Sequence, residues 1–187
     1  MPLPPNLDLR GKTIILTGAS AGMGLESARQ LLSLNASTFV LAVRNTSKGE
    51  AWKSSLLSDP AVKFHNQNLT VKVMKLDVDD YASILSFAET VKAEVPVVDY
   101  LLLNAGIGIL KYETSASDHE RSTQVNYLSN VLLPLQLLPH LSASAARTGG
   151  PARVTWLVFW SYFFPNHDSC PSRKTCFGSS DSLLFLI

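Results

Sequence analysis

The chain has 187 residues, 46% of them hydrophobic, which is enough to bury a sizeable core and points to one compact domain. Sixteen Lys and Arg stand against fifteen Asp and Glu, a formal net charge of +1, so no global field steers the chain toward nucleic acid or an anionic membrane. The two cysteines, Cys170 and Cys176, are too few for a disulfide framework and wrongly spaced for a zinc knuckle, and no metal site is expected.

In chain order, residues 1–10 show no basic segment followed by an apolar core, so a cytoplasmic address is expected rather than a secretory one. From residue 13 to 158, short apolar, β-branched runs alternate with longer stretches of helical period, the pattern of βα units on a parallel sheet. The first strand is predicted at 13–17 and the first helix at 22–34, ended by Asn35, which tolerates left-handed backbone. A strand at 38–43 and a helix at 47–57 follow. A third strand at 71–76 leads into a helix at 80–94, which the Asp79-Asp80 pair can cap. The fourth strand, 100–103, is nearly all apolar, as buried parallel strands are. A long helix at 117–144 and a fifth strand at 153–158 complete the series.

Thr17-Gly18-Ala19-Ser20-Ala21-Gly22-Met23-Gly24 closes the first predicted strand and opens the first helix. Gly18 permits a tight turn, Gly22 lets backbone approach a pyrophosphate, and Gly24 lets the helix pack against the strand. The unpaired N–H groups of a helix start, with its positive dipole end, then face the phosphates. The spacing Thr-Gly-x3-Gly-x-Gly resembles the short-chain dehydrogenase/reductase family, and the lead-in Asp8-Leu9-Arg10-Gly11-Lys12 is similar to that of many members. Asp77-Val78 resembles the family's Asp-Val pair, whose acidic residue contacts the adenine ring. Asn104-Ala105-Gly106 resembles its Asn-Ala-Gly motif beside the cofactor. Taken singly, Asp77 also reads as a helix-start residue and Asn104-Ala105-Gly106 as a turn. Together with Thr17, Gly18, Ser20, Gly22, Met23 and Gly24 they are the expected cofactor-binding set, and the resemblance covers residues 7–156.

An acidic residue after the second strand would accept from the ribose hydroxyls of NAD and repel a 2′-phosphate, whereas Arg pairs with that phosphate. This chain has Val43-Arg44-Asn45, so NADP(H) is the expected cofactor, with Arg44 and Asn45 in its site; the bland alternative is that Arg44 is a solvated surface charge. The run Leu41-Ala42-Val43-Arg44-Asn45 is similar to the retinol-dehydrogenase-like branch, which implies a lipophilic carbonyl or alcohol substrate.

On the long fourth predicted helix, Val125-Asn126-Tyr127-Leu128-Ser129-Asn130 resembles the segment that holds the family's catalytic Asn, here Asn126. The alternative is a buried amide bonded to backbone. The family also uses a Tyr with a Lys four residues on, because a phenol of pKa ~10 is a poor base without a nearby cation. The five Tyr, at 81, 100, 112, 127 and 162, are followed four positions later by Leu85, Asn104, Ala116, Val131 and Asn166, so these residues hold no such pair. Ser161 lies near the place of the family's Ser but out of register.

Residues 157–187 hold five of the eight Phe and both Cys and keep no sustained period, and they read as an atypical tail from a truncated or frame-shifted gene rather than a second domain. The apolar stretch 154–164 is far short of the ~20 residues a spanning helix needs. The resemblance implies a Rossmann-type α/β fold, a doubly wound parallel sheet in the order 3-2-1-4-5-6-7, here incomplete with about five strands instead of seven. The cofactor-binding domain is 1–156, and the fifth strand is expected as an exposed edge open to self-association. Two functions follow: an NADP(H)-dependent oxidoreductase acting on a small carbonyl or alcohol, inactive as written, or a non-catalytic NADP(H)-binding or interaction module.

Overall fold

A computed structural model describes residues 7–20, 22–66, 68–109 and 111–158, and the backbone of 183–186. Ser161, His167, Cys170 and Cys176, with most of the expected tail, lie outside the described residues.

Five parallel strands form the body of the sheet: β1 (Thr13–Thr17), β2 (Thr38–Val43), β3 (Thr70–Lys75), β4 (Tyr100–Leu103) and β5 (Arg153–Val158). Helices α1 (Gly22–Ser33), α2 (Thr46–Ser58), α3 (Pro60–His65) and α4 (Tyr81–Glu94) connect them. After β4 the chain runs through a short α5 (Arg121–Thr123) and a π-helical turn (Gln124–Leu128) into α6 (Ser129–Thr148). Strand alternation splits the core between the two faces. Ile15, Val40 and Leu101 pack under α4 and α6, while Ile14, Leu16, Phe39 and Leu41 pack under α1, α2 and α3. All seven of these residues are buried, so both faces need helical cover, as a doubly wound sheet provides.

The strand order is β3-β2-β1-β4-β5-β6, where β6 (Leu183–Leu186) runs antiparallel to β5. The expectation of an exposed fifth strand is corrected here: residues 183–186 of the same chain occupy that edge and take up its backbone pairing. The order reverses between β1 and β4, and such a switch point leaves a crevice at the C-terminal ends of the strands.

Four of the expected strands have the observed limits, and the third is shifted by one residue. The largest difference lies before α6. The predicted helix start at 117 gives way to a turn at Ser115–Asp118, in which Asp118 has φ 58, and helix begins only after Glu120. Helix α3 was not expected: its six residues are too few for a period, and Asp59 caps it by accepting from the Ala61 N–H at 2.8 Å. Asn35 adopts φ 68 after α1, and Asp80 caps α4 through the Ala82 N–H at 2.9 Å.

Candidate functional site

The crevice at the switch point holds a cavity of about 590 Å³, within the range of small-molecule sites. The loops after β1 and β4 meet there and fasten each other. Thr17 is fully buried, and its Oγ1 accepts from the backbone N–H of Asn104 and of Ala105, both at 3.0 Å. Asn104 Nδ2 donates to the carbonyls of Thr17 (3.2 Å) and Gly18 (3.1 Å). Thr17 and the Asn104 amide therefore build the cradle from behind, and Thr17 does not line the cavity.

The glycines make this approach possible. Gly18 has φ +68, and a Cβ there would lie 2.7 Å from the Ala105 Cα; at Gly24 it would lie 2.3 Å from the Gly18 carbonyl oxygen. Gly22 differs: its φ is +52, no atom of the described residues stands within 4 Å of a Cβ, and it does not itself line the cavity, although Met23 and Gly24 after it do. The first turn of α1 carries no acidic side chain, which leaves its positive dipole end uncompensated.

Ser20, Met23, Gly18 and Gly24 line one end of the cavity, with Arg44 beyond them at the end of β2. Arg44 is exposed and has no ion-pair partner among the described residues. Asn45, expected beside it in the site, instead caps α2 by accepting from the Lys48 N–H at 3.0 Å, and it does not line the cavity. Asp77 and Val78 line the wall after β3. Ala105 and Gly106 line the floor.

Asn126 reaches the cavity from the π-helical turn. Its Oδ1 accepts from the Ile107 N–H and its Nδ2 donates to the Ile107 carbonyl, both at 2.8 Å, so its amide pairs with that backbone as a neighbouring strand would. A Cβ on Gly106 would lie 3.1 Å from Asn126 Oδ1, so the floor passes close beneath this amide. Asn130, one turn on and 2% exposed, donates to the carbonyls of Val125 (2.9 Å) and Ala105 (3.2 Å) and satisfies groups that the π-turn and the loop leave open. Sequence reading missed Asn130; a second amide four residues after Asn126 on an apolar helix was the available signal.

Glu120 starts this helix by accepting from the N–H groups of Ser122 (2.9 Å) and Thr123 (2.6 Å), and these donors lower its carboxyl pKa from 4.5 to about 2. A lowered folded pKa gives stability that is present above the unfolded value and lost as pH falls toward the folded one. The melting temperature of wild type is therefore expected to exceed that of Glu120→Gln at neutral pH, with the gap closing as pH falls from 4.5 through about 2. A gap independent of pH would show that the carboxylate charge contributes nothing.

The residues fit a dinucleotide: an open helix start for a pyrophosphate, a guanidinium without an ion-pair partner among the described residues for a further phosphate, and a carboxylate after the neighbouring strand β3. Among the described residues no cluster of His, Cys, Asp and Glu could hold a metal ion, and no helix is long and apolar enough to cross a membrane.

Comparison with known proteins places this geometry in context. Residues 12–150 match the family model described as short chain dehydrogenase. The short chain dehydrogenase macD of Penicillium terrestre is 58% identical over 156 residues, covering 83% of this chain and 47% of that protein. The RhlG/NADP active-site complex of Pseudomonas aeruginosa superposes with a TM-score of 0.63 at 25% identity, covering 81% of this chain and 54% of that one. A metagenomic short-chain oxidoreductase in complex with NADP gives 0.60 at 27% identity, covering 73% and 58%. The chain spans about half the length of the curated relatives it matches.

Proposed function

This chain belongs to the short-chain dehydrogenase family, and from that premise we propose that it forms the NADP(H)-binding part of an oxidoreductase that interconverts a carbonyl and an alcohol. One observation carries the reading: the glycine loop, Arg44 and the Asp77-Val78 wall, far apart in sequence, line a single cavity at the switch point of the sheet. Two structurally similar proteins solved in complex with NADP support the choice of cofactor.

When bound, NADP(H) supplies or accepts the hydride. The chain's own residues do the holding. The N–H groups at the start of α1, with Gly22 open before them, take the pyrophosphate, and Arg44 takes the 2′-phosphate. Asp77 offers a carboxylate to the adenine end. Asn126 fixes the Ile107 backbone at the other side of the floor. Residues 1–156 are assigned to this unit, and a lipophilic substrate is assigned on the resemblance of Leu41–Asn45 to the retinol-dehydrogenase-like branch. Pairing with a second copy through β5 is not part of the proposal, because Leu183–Leu186 already lies on that edge.

A second reading, a module that binds NADP(H) without turning it over, is favoured by the sequence itself. None of its five Tyr is followed four residues on by Lys, the spacing that would set a cation beside a phenol to acidify it. Isothermal titration at low ionic strength tests both. NADPH is expected to bind at least about tenfold more tightly than NADH, since a hydrogen bond to a charged group contributes about 1.5–3 kcal/mol. No NADPH consumption is expected with simple ketones. Equal affinities would remove Arg44 from its role, and failure to bind either cofactor would remove the reading altogether.

A further inference from the structure

Arg121 stands at the first position of a helix, where the dipole disfavours a cation. It is held there by two carboxylates, one distant in sequence and one from the preceding loop. Its Nε donates to Asp79 Oδ2 at 2.6 Å, across 42 positions, and its Nη1 donates to Glu113 Oε2 at 2.7 Å. Both Arg121 and Asp79 line the cavity, on the same wall as Asp77 and Val78.

The turn Asp77-Val78-Asp79 is fastened to this helical run through two backbone carbonyls as well as the Asp79 carboxylate. Gln124 Nε2 donates to the Asp79 carbonyl at 2.8 Å, and the Ser129 hydroxyl donates to the Val78 carbonyl. Ser115 closes the ring by donating to Gln124 Oε1. Asp79 N–H is tied back to Asp77 Oδ1 at 3.1 Å. The carbonyls of Val78 and Asp79 are thus spent on the helix, while Asp79 Oδ1 is buried without a partner among the described residues. Such an oxygen stays in place only when its carboxylate is held firmly by the other, which is the one Arg121 grips.

We propose that Arg121 is a positioning residue for the adenine end of the cavity, locking the Asp77–Asp79 turn and the loop carrying Glu113 into the shape that accepts an adenine nucleotide. It acts through Asp79 and Glu113, not through the 2′-phosphate, which belongs to Arg44. The proposal rests on the NADP(H) reading above.

Titration calorimetry with 5′-AMP, 2′,5′-ADP and NADPH separates the roles, using wild type, Arg121→Met, Arg121→Lys and Arg44→Ala. Arg121→Met is expected to weaken 5′-AMP and 2′,5′-ADP by the same factor, roughly tenfold, from the loss of two charge-assisted bonds. Arg121→Lys, which keeps the charge but not the planar fork, recovers part of that loss. Arg44→Ala weakens only the ligands that carry a 2′-phosphate. Should Arg121→Met fail to fold, Glu113→Gln removes the charge from one arm at the exposed end and is expected to weaken 5′-AMP by about threefold on the same reasoning. Unchanged 5′-AMP binding in a folded Arg121 or Glu113 variant overturns the proposal. A loss confined to 2′,5′-ADP and NADPH also overturns it, because Arg121 would then touch the phosphate itself. Failure of wild type to bind any of the three overturns the NADP(H) reading and this proposal with it; wild-type binding that Arg121 does not influence overturns this proposal alone.

Discussion

Replacing Gly24 with Ala is expected to weaken NADPH binding by on the order of a hundredfold, about 2.7 kcal/mol. A Cβ at this position would stand 2.3 Å from the Gly18 carbonyl oxygen and 2.5 Å from Asn104 Nδ2. Neither neighbour is the loose end of a flexible side chain. The Gly18 carbonyl belongs to the cradle, and Asn104 Nδ2 is bonded to that carbonyl and to Thr17, so relieving the clash separates the two loops that form the site. Helix propensity works the other way, since Ala is favoured over Gly by about 1 kcal/mol in a helix interior. Overpacking typically costs about 1–3 kcal/mol, so the net effect on stability is a loss of up to roughly 2 kcal/mol and a fall in melting temperature of up to about 8 °C.

Gly11→Ala is the matching control. Gly11 also has positive φ, +77, but no atom of the described residues stands within 4 Å of a Cβ, and it precedes β1 at the far end of the strand. Its replacement is expected to cost about 1–2 kcal/mol of stability through backbone strain and to leave NADPH affinity unchanged. Calorimetry on the two variants separates strain from site disruption. If Gly24→Ala binds NADPH as wild type does, the close packing of the two loops is not what shapes the site.

The same contrast explains how much of the site was legible in the sequence. Glycine requirements are local, so Gly18, Gly22 and Gly24 could be read from their place between a strand and a helix. Side-chain partnerships are not local. Thr17 and Asn45 sit inside motif runs and read as cofactor contacts, yet Thr17 is spent on the Asn104 and Ala105 N–H groups and Asn45 on capping α2. Arg121 left no such mark, because the carboxylates that explain it lie 42 positions before it and in a loop without periodicity. Its one sequence signal was a basic residue at a helix start, and the start itself was misplaced at 117.

The fold was legible for a related reason. The central strands β1 and β2 are short apolar runs bounded by turn residues, and burial on both faces makes such runs conspicuous. The π-helical turn at Gln124–Leu128 was not legible. Its extra residue per turn changes which carbonyls are free and moves the buried positions by five, from Gln124 and Val125 to Ser129 and Asn130, but those two are polar, so no apolar period records the shift. Strand β6 was equally hidden, since an antiparallel partner at residues 183–186 is separated from β5 by chain without a sustained pattern.

Arg44→Asp is expected to invert the cofactor preference, lowering NADPH affinity by about ten- to a hundredfold while leaving NADH bound at least as tightly as before. Arg44 ends the β2 run, lines the cavity and has no ion-pair partner among the described residues, so its charge is available to an occupant. Removing it forfeits charge-assisted bonds to a phosphate, about 1.5–3 kcal/mol, and the introduced carboxylate adds repulsion from a group carrying close to two negative charges. The same carboxylate can accept from the ribose hydroxyls of NADH, which carries no such phosphate. Exposure tempers the size of the effect. Screening over about 8–10 Å at physiological salt weakens an exposed pair, so the wild-type preference for NADPH should shrink as salt rises, whereas NADH affinity should change less. Arg44→Lys, which keeps a point charge without the planar fork, should fall between wild type and Arg44→Asp. Competitive titration of NADPH against NADH at two salt concentrations reads all three quantities, and an undiminished preference for NADPH in Arg44→Asp would place the 2′-phosphate elsewhere in the cavity.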